Sequence, residues 1–404
     1  MSRQPNATPQ FTLIQGLYWM AYCILVSFSS VYLLERGFSN SQIGLLISVS
    51  SILSAVLQPV AAARADRLVK IALRQVCAGV AALMALCALG LLLLPGKLLQ
   101  AGLYMLLLIL LQLLTPFLYS LAMDCLNNHI PLNYGLARGA GGATYGLASA
   151  LCGVLTASFG VKVLPIALVI LTLILAPTLL TFRYTGPIPK EIPRKEALEG
   201  TKSSTPFLKK YPQVPLLLVA ISLLFTSHNI LLSFPFQIVQ GIGGSTEEMG
   251  TLLTVQSIAD IPAMVLFSLL LNLAGSRFWV KVSSVSFFLH ALLTWVAPGM
   301  GFLCGIQFLE TSGYALYTVA AVYFVNELID LPDRVQGQAY FSMTNTIGIV
   351  LGSSVGGFLL DLWGSSALLA FATVTGGAGM IILLYALKRP FPLRTSVQKI
   401  GSLN

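Results

Sequence analysis

The sequence predicts an all-α membrane protein with twelve transmembrane helices in two six-helix, pseudo-symmetric halves. Three observations lead to this prediction. The first is the composition, with 56% hydrophobic and 9% charged residues and a mean hydropathy of +0.85, as is typical of multi-pass membrane proteins. The second is the number of apolar stretches of about 20 residues, the length that spans a bilayer. The third is the distribution of lysine and arginine between the loops.

Twelve stretches meet the length requirement. Those of the first half cover residues 11–35, 41–63, 71–95, 98–124, 137–159 and 163–183. After a polar interval, those of the second half cover residues 213–238, 248–273, 278–297, 300–326, 337–361 and 366–388.

A polar segment rich in Pro, Lys, Glu and Ser divides the two sets. It predicts an N-terminal half at 1–183, a cytoplasmic linker at 184–212, a C-terminal half at 213–388 and a cytoplasmic tail at 389–404. Stretch five ends with Gly153 and Gly160, and stretch eleven ends with Gly357 and Gly364, so both have glycines seven residues apart. This match supports an internal repeat of six helices, a plan that places a solute site between the halves.

The basic residues predict the orientation. With both termini in the cytoplasm, 20 of the 23 Lys and Arg residues fall on the cytoplasmic side, and Arg36, Lys97 and Lys162 fall outside. This asymmetry follows the positive-inside rule and predicts a multi-pass protein of the cell membrane. The net charge of +9 therefore reflects contact with the inner leaflet, and we expect the lipid bilayer, not nucleic acid, as a partner. We also expect a monomer.

Several function classes lack support in the sequence. The six cysteines include no CxxC pair, so neither disulfides nor a metal site is expected. There is no GxxxxGK[ST] loop for an ATP-driven pump and no nucleophile–base pair, so we expect no enzyme activity and no cofactor beyond the proton. A membrane sensor without transport activity is a less favoured alternative, because no soluble effector domain follows the last helix.

Four ionisable residues lie in or at the edge of apolar stretches: Asp124, Arg138, Asp260 and Glu310. A charge near the bilayer centre costs at least about 2.5–3.5 kcal/mol on insertion scales, so such residues usually mark a substrate or ion pathway. This pattern indicates a carrier of a polar solute.

Several motifs resemble the major facilitator superfamily, and within it the lactose-permease-like oligosaccharide–proton symporters. The first two stretches carry the shared residues Tyr18–Trp19–Met20, Gln42–Ile43–Gly44, Gln58–Pro59 and Asp66–Arg67. In the loop after stretch two, Ala62 and Val69 replace the two glycines of the superfamily motif. The resemblance implies a gating role for Asp66 and Arg67, in which this region bridges to the second half near stretch eleven.

The resemblance also implies solute-binding residues in the first half. The segment NYGLARGAGGATYG places Arg138 on the arginine with which the family grips the sugar. Asp124 is the available acidic partner on stretch four, and Tyr145 falls where the lactose permease stacks a tryptophan on the sugar ring. An arginine fork and a carboxylate are suited to binding hydroxyl groups, and an aromatic ring is suited to the apolar face of a sugar.

In the second half, the resemblance places Asp260 on the acid that contacts sugar and couples to the proton site. It places Glu310 on the glutamate that carries the proton. Two neighbours differ from the family: His290 stands in place of an arginine, and Gln307 in place of a histidine. We therefore assign Gln307, Asp260 and the first-half residues to solute binding, and Glu310, His290 and Asp260 to proton coupling.

Further departures leave the solute open. A charged pair of the lactose permease becomes His228 and Asn345, and an asparagine becomes Ala263. We interpret His228 as a structural histidine. The favoured function is proton-coupled symport of a small polar solute such as a sugar or oligosaccharide by alternating access. The alternatives are a nucleoside–proton symporter and a proton-coupled exporter of drugs or amphiphiles.

Overall fold

The computed structural model describes residues 6–67, 72–182 and 207–388, and within them it omits the side chains of residues 62–67, 127, 261, 263–272 and 335. The first half contains α1 (Thr8–Tyr22, continued by a π-helical Cys23–Ser27 and by Ser29–Glu35), α2 (Asn40–Arg67), α3 (Leu73–Leu93), α4 (Lys97–Asn127), α5 (Tyr134–Phe159) and α6 (Val163–Leu180). The second half contains α7 (Val214–Ser233), α8 (Thr246–Leu273), α9 (Ser276–Trp295) and α10, which is divided into Met300–Ile306, Phe308–Glu310, a π-helical Thr311–Ala315 and Leu316–Leu328. A long helix, Arg334–Lys388, completes the chain.

The predicted all-helical membrane fold is confirmed. The described residues form helices and no strand. Eight of these helices are long and apolar enough to cross a membrane, or nine when the start of the chain, bent by 49°, is counted as one span. The long final helix is broken at Gly364, which has a φ of 76°, and we call its two parts α11 (334–363) and α12 (365–388). With α8 and the divided α10, the described part of the chain contains the long helices α1 to α12, six in each half.

The matched glycines at the ends of α5 and α11 have the same structural role. Gly160 follows α5 with a φ of 78°, and Gly364 follows α11 with a φ of 76°. These are left-handed values that glycine adopts without the steric cost of a Cβ. Each glycine therefore reverses the chain between the fifth and sixth helix of its half, which is the physical basis of the repeat seen in the sequence.

Some predicted boundaries were wrong. Helix α7 ends at Ser233 rather than at residue 238, because the helical backbone is interrupted at Phe234 and Pro235 begins a separate short helix, Pro235–Gly241. Helix α5 begins at Tyr134 rather than at residue 137, since the Asn133 side chain accepts a hydrogen bond from the backbone N–H of Leu136 and caps its first turn.

The predicted linker lies partly outside the described residues, as does the whole predicted tail. The described end of the linker contains one helical turn, Phe207–Lys210. There Lys210 Nζ lies 2.5 Å from Asp333 Oδ2, and the Tyr211 hydroxyl donates to the same oxygen at 2.9 Å. The Lys210 hydrogen bond holds the pKa of Asp333 below its usual range. This contact fixes the start of α7 to the loop between α10 and α11. The predicted domain boundaries themselves stay predictions.

The two halves meet through α2 with α11 and through α5 with α8. We call the end of the bundle where α1 begins and α12 ends the terminal face, and the opposite end the far face. Gly250 of α8 lies close to the backbone of α5, where an added Cβ would be 2.5 Å from the Ser149 carbonyl oxygen. The Thr254 hydroxyl donates to the Gly146 carbonyl at 2.9 Å, and the Ser257 hydroxyl donates to the Gly142 carbonyl at 2.6 Å. Small residues thus allow helices of opposite halves to approach closely.

At the far face, a carboxylate of the second half caps a helix of the first. Asp361, at the end of α11, accepts hydrogen bonds from the backbone N–H groups of Asn40 and Ser41, at 3.0 and 2.8 Å, and from the Asn40 side chain at 2.9 Å. The Gln237 side chain donates to Asn40 Oδ1 at 2.8 Å. An acidic group is favourable at a helix N-terminus, so this far-face cap holds the start of α2 to the second half.

Candidate functional site

Helix α10 is irregular where its acidic residue lies. Glu310 is preceded by a break at Gln307 and followed by a π-helical turn, a distortion that is frequent at functional sites. The turn is tied to its neighbours: the Thr311 hydroxyl donates to the Ala259 carbonyl of α8 at 2.5 Å, and the hydroxyls of Ser312 and Ser286 of α9 are 2.8 Å apart. These contacts fix the direction in which the Glu310 side chain leaves the helix.

Two histidines flank the carboxylate of Glu310. His228 Nδ1, from α7, lies 3.1 Å from Oε1, and His290 Nδ1, from α9, lies 3.1 Å from Oε2. Glu310 is 1% exposed, and both histidines are buried. We call these three residues the His–Glu–His cluster. It lies wholly within the second half.

Aromatic rings hold one imidazole of the cluster in place. The ring of His228 is stacked on Tyr314, with centroids 4.6 Å apart and planes 8° apart. Phe287 meets the same imidazole edge-on at 5.6 Å. The imidazole is therefore packed between Tyr314 and Phe287, with its Nδ1 atom 3.1 Å from Glu310 Oε1.

A small pocket of about 30 Å³ lies beside the cluster. Its polar lining comes from His228, Gln256, His290, Thr294 and Gln307, and its apolar lining comes from Leu231, Leu232, Pro235, Ile238, Leu252, Leu253 and Leu303. The buried Gln307 side chain donates to the Leu303 carbonyl at 3.2 Å. All these residues belong to the second half.

The first half contributes an arginine stacked on a tryptophan. The guanidinium carbon of Arg138, in α5, lies 4.1 Å from the ring centroid of Trp19, in α1. The indole N–H donates to Gln15 Oε1 at 3.1 Å. Gly141 makes this arrangement possible, because an added Cβ would overlap the indole. The result is a cation–π pair of two half-buried side chains.

The predicted stacking residue Tyr145 is half-buried in α5. Its hydroxyl shares a hydrogen bond of 2.7 Å with the hydroxyl of Ser27, in the π-helical part of α1. The phenol is therefore held within the first half, with its ring orientation fixed by that bond.

Charges of the two halves interact across the bundle. Arg138 of the first half interacts electrostatically with Asp260 of the second, and Asp260 interacts in turn with Glu310. Tyr314 is within electrostatic range of all three. The Asp260 Oδ1 atom is buried and has no hydrogen-bond partner among the described residues. A buried carboxylate oxygen of this kind has unused acceptor capacity, as a ligand-binding group requires.

The remaining predicted site residues lie further out. Asp124 is half-buried in the last turn of α4, and its position beside Arg138 stays a prediction. Asp66 and Arg67 are the final two residues of α2, and their side chains are not among those that the structure describes. The gating assignment is therefore also still a prediction.

Sequence reasoning gave no site role to two residues that the structure places here. Trp19 was noted only as part of a motif, and His228 was interpreted as a structural histidine. His228 and Glu310 are 82 residues apart in the chain and lie on different helices, and the sequence did not indicate their contact. The sequence feature that relates to Trp19 is Gly141, whose missing side chain leaves room for the indole. A glycine in a glycine-rich helix does not, however, show which side chain occupies that room.

Comparisons with known proteins agree with this architecture. The chain is 27% identical over 401 residues to the maltose permease of Geobacillus stearothermophilus, covering 94% of each protein. It is 24% identical over 164 residues to the "Putative sugar efflux transporter" of Deinococcus radiodurans, a match that spans 40% of this chain and 42% of that protein.

Solved transporters share the fold. The nucleoside transporter NupG aligns with a TM-score of 0.74 at 15% identity, and a point mutant of it aligns with 0.80 at 14%. Both alignments cover 95% of this chain and 99% of the NupG chain. A bacterial homologue of the lysosomal transporter Spinster, solved in an inward-facing conformation, aligns with 0.64 at 14% identity, covering 95% and 94%.

The family comparison covers most of the sequence. Residues 12–372 match the model of the MFS_1 like family. This range covers helices of both halves and all three residues of the His–Glu–His cluster. The protein therefore belongs to the MFS_1 like family and is a transporter of the major facilitator superfamily.

Proposed function

We propose that the protein is a secondary active transporter that moves a sugar together with protons by alternating access. The observation that carries this proposal is the His–Glu–His cluster. Three titratable groups are buried in one half, and Asp260 links them electrostatically to Arg138 of the other half. Buried ionisable groups are costly in a membrane, and a proton-binding role gives a reason for keeping them.

The first-half residues support a sugar as the solute. The Arg138 guanidinium presents several N–H donors for hydroxyl groups, and Trp19 and Tyr145 supply aromatic surface beside it. The maltose permease, which matches along nearly the whole chain, favours the same solute class. The efflux transporter favours a second candidate function, sugar export driven by protons.

The contacts between the halves support a conformation that is closed outside. With the predicted orientation, the terminal face is cytoplasmic and the far face is external. The far-face cap of Asp361 on Asn40 and Ser41 then closes the external side. In this proposal the cap must open when the protein exposes its site to the outside.

The test is transport in proteoliposomes with an imposed pH gradient. A thermal-shift screen first identifies the solute among sugars, other polyols and nucleosides, since a ligand at about 100 times its Kd adds about 2.7 kcal/mol of stability. Wild-type protein should accumulate that solute when the gradient is imposed, and the direction of accumulation separates import from export. Glu310→Gln should abolish accumulation but retain solute exchange. The same accumulation with and without a gradient would exclude proton coupling, and a nucleoside as sole ligand would exclude the sugar.

A further inference from the structure

Among the residues that the structure describes, the carboxylate of Glu310 has two nitrogen neighbours and no other group within hydrogen-bonding distance. Each of its oxygens lies 3.1 Å from the Nδ1 atom of a different histidine, His228 or His290. Neither oxygen has another partner among the described residues, although both are buried. An ionised carboxylate in this position depends on the imidazoles for its counter-charge.

The pocket beside the cluster reaches the imidazoles but not the carboxylate. His228 and His290 both line it, and Glu310 is absent from its lining. The other polar lining groups are the amides of Gln256 and Gln307 and the Thr294 hydroxyl, which are suited to binding water. A proton carried by water in this pocket therefore meets an imidazole first.

The nitrogen that accepts such a proton follows from the geometry. Because Nδ1 of each ring lies 3.1 Å from an oxygen of Glu310, an ionised carboxylate favours the neutral tautomer with its hydrogen on Nδ1, which leaves the lone pair on Nε2. A hydronium ion in the pocket transfers its proton to that lone pair, which leaves water and an imidazolium next to the carboxylate. Glu310 needs no change of protonation in this step.

The charges around the cluster favour the uptake of one proton. The other titratable groups around it are Asp260 from α8, Arg138 from α5, Tyr314 from α10 and Tyr22 from α1. The sequence has no charged residue in α11 between 335 and 360 or in α12 between 365 and 387. With neutral histidines the His–Glu–His cluster itself carries the single negative charge of Glu310, and one added proton makes it neutral. Buried groups are most stable without net charge.

We infer that the coupling proton is held by the His228–His290 imidazole pair, with Glu310 remaining ionised as its counter-ion, and that one proton is taken up per transport cycle. This inference rests on the proposed proton coupling and locates the proton within the cluster. It differs from the expectation from the sequence, in which Glu310 itself carries the proton. Glu310 is then a positioning residue that lies between the two Nδ1 atoms and supplies the counter-charge.

The test uses the small number of histidines in the chain, which are His129, His228 and His290. His129 is exposed in the loop between α4 and α5, so His129→Asn removes the one remaining histidine signal without touching the cluster. Protein labelled with ¹⁵N-histidine and carrying this substitution is placed in lipid and titrated by solid-state NMR. We expect one imidazolium equivalent, shared by the two buried rings, to form over the pH range in which uptake changes.

Infrared difference spectra on the same titration report the carboxylate directly. A protonated Glu310 would give a carboxylic acid C=O band that disappears in Glu310→Gln. We expect that wild-type protein shows no such band. Such a band, together with imidazoles that stay neutral, would overturn the inference while leaving proton coupling intact. If wild-type uptake does not respond to a pH gradient at all, the proposed function fails instead.

Transport by variants gives an independent readout. His228→Asn and His290→Asn should each shift the pH profile of uptake, and the double variant should lose gradient-driven accumulation but keep exchange. His129→Asn is the matched control and should behave as wild type. An unchanged pH profile in both single variants would overturn the inference. The NMR measurement uses a native cluster, so it decides the matter even if a cluster variant does not fold.

Discussion

The close approach of α5 and α8 predicts the effect of a single methyl group. In Gly250→Ala the new Cβ would lie 2.5 Å from the Ser149 carbonyl oxygen, and ordinary contact begins at 3.4 Å. The helices must therefore separate by about 0.9 Å, the difference between these two distances. The hydrogen bonds of Thr254 and Ser257 to α5, now 2.9 and 2.6 Å long, would lengthen toward or beyond the hydrogen-bonding limit.

Each of these two hydrogen bonds contributes about 0.5–1.5 kcal/mol, so their loss destabilises the contact between the halves by about 2 kcal/mol. This corresponds to a shift of about 30-fold in the equilibrium toward separated halves at the far face. Hydrogen–deuterium exchange in lipid nanodiscs, followed by mass spectrometry of the peptides 145–153 and 246–254, measures the change. We expect faster exchange in both peptides.

The matched control is Gly142→Ala, also on α5, where an added Cβ has nothing within 4 Å. It should exchange like the wild type. Equal exchange in Gly250→Ala and wild-type protein would refute the reasoning, because the close approach would then not limit the opening of the halves. A similar increase in both variants would refute it as well, since the effect would come from the loss of glycine rather than from the contact.

Three further predictions follow from single contacts. Asp361→Ala should speed exchange at the start of α2 by about 5-fold, since a lost helix cap costs about 1 kcal/mol, while Glu35→Ala, which removes an exposed far-face carboxylate, should not. Trp19→Ala should raise the solute Kd between about 2-fold and 30-fold in titration calorimetry, from a cation–π contribution of about 0.5–2 kcal/mol, and an unchanged Kd would remove this residue from the site. Asp333→Asn should lower the Tm at pH 7. Because Lys210 lowers the pKa of Asp333, the wild-type advantage is complete above about pH 3.9 and is lost as the pH falls through the lowered value; a pH-independent difference in Tm would contradict this.

The fold was predictable because its signals are local. Hydrophobic length identifies a spanning helix from one stretch of chain, and the glycines at 160 and 364 mark equivalent turns because only a left-handed backbone fits there. The end of α7 was missed because an apolar run continues through Phe234 and Pro235, and hydropathy does not register a break in the helical backbone.

The site was predictable only in part, since it depends on contacts between distant helices. Burial in apolar stretches identified Asp260, Glu310 and Arg138, because charge in a membrane is informative wherever it occurs. Which atoms meet depends on helix rotation, and the resemblance to a family gave no partner for His228, where this chain departs from the family pattern. The stacking of Arg138 on Trp19 was hidden for the same reason.

The distribution of these groups between the halves suggests how solute and proton are coupled. The His–Glu–His cluster lies in the second half, and Arg138 lies in the first. Asp260 interacts with both, so it links the imidazole pair proposed to hold the proton with the arginine proposed to bind the solute. In this proposal, a solute that engages Arg138 weakens its interaction with Asp260 and leaves more negative potential at the imidazole pair, which favours the bound proton. By thermodynamic reciprocity, protonation of the cluster must then tighten solute binding by the same factor.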